Sequence, residues 1–194
     1  FLFAQMGYDP LKDLQPVTMI NSAPLMVVAH PALPVKSFAE LVAYSKANPG
    51  KLNYGSGGTG SSIHLAVELF KQKAGVDITR IAYKGAGPAL GEVIAGQIGF
   101  MIATAPGALP HVKSGRLIAL GVSSVTRAAA LPETPTIAES GLPGYDYVAW
   151  FGVFAAGATP RALVARMDAL YKQAIADAET RAKLEIAGIT PQPT

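Results

Sequence analysis

The chain has 194 residues, 50% of them hydrophobic and 15% charged, so a sizeable core in one large or two small domains is expected and disorder is not. Its formal charge of +3, from 16 Lys plus Arg against 13 Asp plus Glu, is scattered and forms no basic stripe with interleaved aromatics, which argues against a nucleic-acid partner. Cysteine is absent, which removes disulfides, thiol nucleophiles and cysteine-held metals, and no apolar run reaches the roughly 18 residues that span a bilayer.

The opening "FLFAQMGYDP" lacks an initiating Met and shows no signal peptide, so a lost upstream segment is expected; the end, "GITPQPT", is equally abrupt. "SAPLMVVAH" reads as a strand ended at His30-Pro31. Ser37 then predicts a helix cap, with Glu40 completing a capping box and Phe38, Leu41, Val42 and Ser45 marking the inner face. "ANPG" stops that helix, and "KLNYG" is a short strand. A glycine loop leads into a helix reaching about Ala74, with Ile63, Val67 and Phe70, joined by Leu65 and Leu69, as its apolar face. "VDITRIAYKG" is a strand entering a loop, and "AGPALGEVIAGQ" a short helix with Pro88 in its first turn. "IGFMIAT" is an apolar strand, "APGALPHVKSG" a loop and helical turn, and "RLIALGVSS" a further strand. A polar run ends in "LPETPTIAESGLPGYD", and "YVAWFGVFAAGATP" is strand-like. Thr159 is expected to cap an amphipathic helix that starts at Pro160, and a last helix is bracketed by Asp177 and Gly188. The strand–helix alternation over residues 25–124, with continuous apolar strands, predicts an α/β fold: a mostly parallel sheet with helices on both faces.

In such a sheet the loops after the strand ends share one edge, where ligands bind. Three small-residue loops stand there and run straight into helix starts: residues 55–62, 84–87 and 104–108. Helix starts offer unpaired N–H groups and a positive dipole end, glycine lets backbone come close, and Ser56, Thr59, Ser61 and Ser62 add hydroxyls. This is chemistry for a carboxylate or a phosphate. The plain alternative is that the glycines only turn the chain and Ser61 or Ser62 only caps a helix. "GSGGTGSS" lacks the Gly-Lys-Ser/Thr ending of a nucleotide phosphate loop, and no acidic residue ends the next strand to hold a ribose, so a dinucleotide site is rejected. Lys84 could pair with an anion. His64 either touches ligand or supports the glycine loop by a hydrogen bond; His30 is read as structural, and His111 stays ambiguous. Tyr54 and Tyr83 are expected to wall the pocket; Trp150 and Phe151, where the last strand begins, either reach the site or pack in the core or between lobes, the packing alternative being stronger for Phe151. No metal-binding His spacing, no G-x-S-x-G elbow and no paired carboxylates occur, so binding is expected rather than catalysis, with no cofactor and no metal.

The stretches "YDPLKDLQPV", "LMVVAHPALPVKSFAELVAYSKANPGKLNYGSGGTGSSIHLAVELFKQKAGVDITRIAYKGAGPALGEVIAGQIGFMI", "ALPHVKSGRLIALGVSS" and "ALPETPTIAESGLPGYDYVAWFGVFAAGATP" closely resemble the periplasmic substrate-binding proteins of tripartite tricarboxylate transporters, the Bug family. The resemblance implies a type II periplasmic-binding-protein-like fold of two α/β lobes joined by crossing strands, from a precursor with a signal peptide. It makes residues 17–149 the second lobe and residues 1–16 and 150–194 pieces of the first, in a chain truncated at both ends. A homodimer, a swapped partner or a cleaved upstream peptide would then cover the apolar face around Leu163, Val164, Met167 and Leu170. The implied function is capture of a small organic carboxylate in the periplasm for delivery to membrane permease subunits. The implied contacts are Ser56, Gly58, Thr59, Gly60, Ser61 and Ser62, then Lys84, Gly85 and Ala86, then Thr104 and Ala105. The family's ligands include di- and tricarboxylates, acidic amino acids and aromatic acids. Many members carry Asp-Asn where this chain has Thr104-Ala105, a departure that argues mildly against an amino-acid ligand. Two other readings stay open: an enzyme acting on a carboxylic acid with His64 or His111 as base, and a ligand sensor for a signalling partner.

Overall fold

The structure is a computed structural model that describes residues 6–192 and 194. In chain order its elements are β1 (Leu14–Ala29), α1 (Phe38–Ala47), β2 (Asn53–Ser56), α2 (Ser62–Ala74), β3 (Thr79–Ala82), α3 (Ala86–Ile94) and β4 (Phe100–Thr104). They continue with α4 (Ala105–Lys113), β5 (Ile118–Val122), β6 (Val148–Ala156), α5 (Arg161–Ala176), α6 (Ala178–Ile186) and β7 (Thr190–Pro191). The chain divides into two compact units, one of residues 24–148 and one that gathers the residues up to 23 with those from 149 on.

In the 24–148 unit the strand order is β3-β2-β4-β1-β5. β2 runs parallel to β3, with Ser56 opposite Ala82, and parallel to β4, with Tyr54 opposite Phe100. One helix fills each crossover from β2 to β3, β3 to β4 and β4 to β5, which is what parallel strands require. β1 is the exception: it lies antiparallel to β4, from Leu25 opposite Thr104 to Ala29 opposite Phe100, and antiparallel to β5. The sheet is therefore mixed, four strands running one way and β1 against them.

Alternation along β4 shows why its residues form an unbroken apolar run. Met101 and Ala103 join Met26 and Val28 of β1, Ala89 and Val93 of α3, and Ala108 and Leu109 of α4 in one buried cluster. Phe100 points the other way, edge-on to Phe70 of α2 at 6.3 Å, and Phe70 in turn meets Phe38 of α1 at 5.1 Å. A strand covered on both faces has no side that favours polar residues. α1 starts as expected, with Ser37 Oγ accepting the Glu40 N–H at 3.2 Å. The return bond of the box differs, because the Glu40 carboxylate takes the N–H of Lys36 at 2.7 Å. On α2 the buried stripe is Ile63, Ala66, Val67, Phe70 and Ala74, and Leu65 lies outside it, exposed.

In the other unit, the first half of β1 pairs with β6 and, antiparallel, with β7, Ser22 opposite Thr190. β1 starts eight residues before the predicted strand, since its first half, "LQPVTMIN", mixes apolar with polar residues and carries no long apolar run to announce it. α5 corrects a second expectation. Pro160 has an extended ψ of 133° and is itself the cap, so Arg161 is the first helical residue and the Thr159 hydroxyl caps nothing. α6 is closed as predicted: Asp177 Oδ2 accepts the Thr180 N–H at 2.8 Å, and Gly188 takes a φ of 78°. Trp150 is 61% exposed and Phe151 46%, so neither packs into a core of this chain.

Candidate functional site

β3, β2 and β4 are neighbours and parallel, so their C-terminal ends open on one edge with the β2 loop in the middle. Glycines let these loops touch. A Cβ on Gly57 would stand 3.1 Å from the carbonyl carbon of Gly85 and the nitrogen of Ala86, so the first two loops meet backbone to backbone. Gly58, with a φ of 122°, adopts a conformation that L side chains rarely take. In the third loop, a Cβ on Gly107 would stand 3.6 Å from Thr104 Oγ1 and 3.7 Å from the Leu90 side chain of α3. The first two loops are thus in contact, and the third opens at the end of the neighbouring strand β4.

Three helices begin at this edge, and they satisfy their first amides differently. At α2 the Ser61 hydroxyl accepts from His64 N–H at 3.3 Å and donates to the Gly58 carbonyl at 2.9 Å. Ser62, half-buried, is the first helical residue. At α3 the cap is Gly85, which has no side chain to offer. At α4 the cap is Thr104, whose hydroxyl makes no capping bond. The N–H groups of Ala86, Gly87, Ala105 and Gly107 fall in first turns, where no intrahelical acceptor exists. Pro88 and Pro106 remove two further amides that would otherwise need partners. In the centre, at the last residue of β2, Ser56 is fully buried and its Oγ has no hydrogen-bond partner.

Beneath the glycine loop lies a polar network. His64 Nδ1 accepts the Gly60 N–H at 3.1 Å, the supporting bond that was one of the two readings of this residue. Tyr54 is fully buried beside Phe100, and its hydroxyl donates to Glu68 Oε1 at 2.8 Å, so it is part of the core and walls no pocket. Lys71 Nζ reaches the same Glu68 oxygen at 3.1 Å. Burial, then the bond to Glu68 and its charge, push the Tyr54 hydroxyl above its ordinary value. Burial also works to raise the Glu68 carboxyl, but bonds from Tyr54 and Lys71 outweigh it and the net direction is down. Tyr83 is partly buried against the α3 and α4 cluster.

Arg80 was not singled out in the sequence. Its guanidinium donates twice to Thr59 Oγ1, at 3.3 and 3.2 Å, and so braces the tip of the loop. Only the pairing of β2 with β3, which sets Tyr54 opposite Arg80, reveals its position. Lys84 is exposed and, among the described residues, makes no ion pair. His30 Nδ1 accepts the Ala32 N–H at 3.1 Å, a turn-closing contact. His111 lies in the last turn of α4, half-buried, with an unpartnered Nδ1.

A family model described as the tripartite tricarboxylate transporter family receptor matches residues 1–193. The chain belongs to this family, the Bug family. A Pseudomonas sp. (strain P51) relative, the UPF0065 protein in the tcbD-tcbE intergenic region, is 36% identical over 190 residues, which are 97% of this chain and 56% of that protein. Among solved structures, R. palustris Rpa4515 with adipate superposes with a TM-score of 0.94 at 35% identity, over 98% of this chain and 64% of that one. MatC (Rpa3494) from Rhodopseudomonas palustris with bound malate gives a TM-score of 0.91 at 31% identity, over 97% and 64%. This receptor-family chain spans a little over half the length of its curated relatives. Its fold is the expected type II periplasmic-binding-protein-like one, and its compartment is the periplasm. The family's own description is that of a receptor.

Proposed function

We propose that this chain supplies one carboxylate-receiving lobe of a solute-binding protein that delivers a small organic acid to membrane permease subunits. In this reading the lobe runs over residues 17–149, of which 24–148 form one compact unit, and residues 1–16 and 150–194 belong to its companion. The observation that carries the reading is the buried, unpaired Ser56 hydroxyl at the centre of three helix starts with open amides. An orphaned hydroxyl is costly without a partner, and first-turn amides favour an anion. Ser56, Gly58, Ser62, Lys84, Gly85, Ala86, Thr104 and Ala105 face the ligand in this reading. Thr59, Gly60, Ser61 and His64 serve as its frame, because their polar groups already bond to Arg80, to each other and to Gly58. The adipate and malate of the two solved neighbours support a dicarboxylate. Tricarboxylates and aromatic acids remain in the proposed class; acidic amino acids rank lower, since Thr104-Ala105 puts no acidic side chain there to meet an amino group. The 194-residue chain by itself pairs as a homodimer, a reading supported by the exposed Trp150, Phe154, Leu163 and Leu170.

Calorimetry of the full-length protein against mono-, di- and tricarboxylates tests the reading. At least one acid is expected to bind in the micromolar range or tighter. Gly57→Ala, which forces a methyl against the Gly85–Ala86 peptide, should weaken that acid roughly tenfold or more. Failure of every acid in the panel to bind the intact protein would end it.

A further inference from the structure

Gly60 has a φ of 78°, a form that no side chain enforces from within the residue, so a partner must select it. That partner is His64, one turn into α2, whose Nδ1 accepts the Gly60 N–H at 3.1 Å. A ring nitrogen that accepts carries no proton, so the imidazole is neutral with its proton on Nε2. Nε2 faces Glu68 Oε1 at 3.9 Å. The same oxygen is fixed by the Tyr54 hydroxyl at 2.8 Å and by Lys71 Nζ at 3.1 Å. A line of contacts therefore runs from the core of β2 through Glu68 and His64 to the tip of the glycine loop.

We propose that His64 is a positioning residue that latches the 57–61 loop in its anion-receiving shape through a neutral Nδ1, and that protonating the ring releases the latch and the ligand. The proposal rests on the carboxylate reading of the same loop. Protonation would set a ring N–H against the Gly60 N–H, two donors face to face, and the loop would have to abandon its φ. The charged groups around the ring are Glu68 and Lys71 from α2 and Arg80 from β3, and the Tyr54 phenol of β2 bears on it only through Glu68. Burial first, and then the Arg80 and Lys71 charges, hold the ring below its ordinary 6.5, against the pull of Glu68. The latch is thus closed at neutral pH, and the loss of binding belongs to acid below 6.5.

The test is nitrogen NMR of the labelled full-length protein, joined to calorimetry with adipate and with malate. The spectra should show the Nε2–H tautomer and a Gly60 amide that shifts as the ring titrates. His64→Ala should weaken binding about tenfold at neutral pH. His64→Asn, whose Oδ1 falls where Nδ1 was, should recover most of that loss and lack the wild-type fall in acid. An Nδ1–H tautomer would overturn the latch. So would a folded His64→Ala protein that binds within twofold of wild type, or an Asn variant with the wild-type acid profile. If neither acid binds the wild type, the carboxylate reading fails for these ligands, while the tautomer and the Gly60 titration still decide the latch.

Discussion

Ser56 carries an oxygen that the fold neither exposes nor pairs. Such a group costs the folded state about 1–3 kcal/mol of unreturned desolvation. Ser56→Ala is therefore expected to stabilise the ligand-free protein by roughly 1 kcal/mol and to weaken carboxylate binding about tenfold. Urea unfolding and calorimetry on the same variant read these two effects, which have opposite signs. A variant less stable than wild type would show that the hydroxyl has a structural duty instead. Ser61, five residues on, is the contrasting case: its hydroxyl both accepts from His64 and donates to Gly58, so it holds the loop together. The sequence shows four hydroxyls around one glycine run. It does not tell a spent hydroxyl from a free one, because that depends on which backbone atoms the fold brings within 3 Å or so.

At the scale of elements, the βαβ rhythm from β2 to β5 was legible because each helix carries a buried apolar stripe between short strands. The direction of β1 was not, since an apolar run buried on both faces reads the same whichever way its neighbours point. Tyr54 was misplaced for a related reason: its nearness to a loop in sequence says nothing of Glu68, fourteen residues away, which draws its hydroxyl into the core. The end of β5 shows how β1 is held. Ser123 Oγ accepts from Leu25 N–H at 2.8 Å and donates to the Tyr147 carbonyl at 2.5 Å. Its backbone N–H bonds to Leu25 O at 2.9 Å, and its carbonyl takes the Tyr147 N–H at 2.8 Å. One buried residue thus ties together both places where the chain enters and leaves the 24–148 unit. Ser123→Ala strips a buried Leu25 amide of its acceptor and is expected to cost about 1–3 kcal/mol in urea unfolding. A loss within the ~0.5 kcal/mol of an ordinary surface change would mean that the backbone bonds alone hold the two segments.

For the whole molecule, the distribution of apolar side chains between the two units decides how the chain behaves. The largest fully buried side chains, from Tyr54, Tyr145, Phe38, Phe70 and Phe100 down to Ile102, all belong to residues 24–148. Of the large exposed apolar residues, that unit contributes only Leu65, Val125 and Val148. The other unit leaves Trp150, Phe151, Phe154, Leu163, Leu170 and Ile186 in water, and along α5 it buries only Ile175. Exposed apolar surface on that scale supports the proposed association, whereas a closed core of about 125 residues is enough for independent folding. Residues 24–148 expressed alone should therefore melt cooperatively and scatter light as a monomer. The 194-residue chain should instead show a mass that rises with concentration towards the proposed dimer. A 194-residue chain that stays monomeric at every concentration removes the dimer, and a 24–148 fragment that melts without a transition removes the claim that its core is self-sufficient.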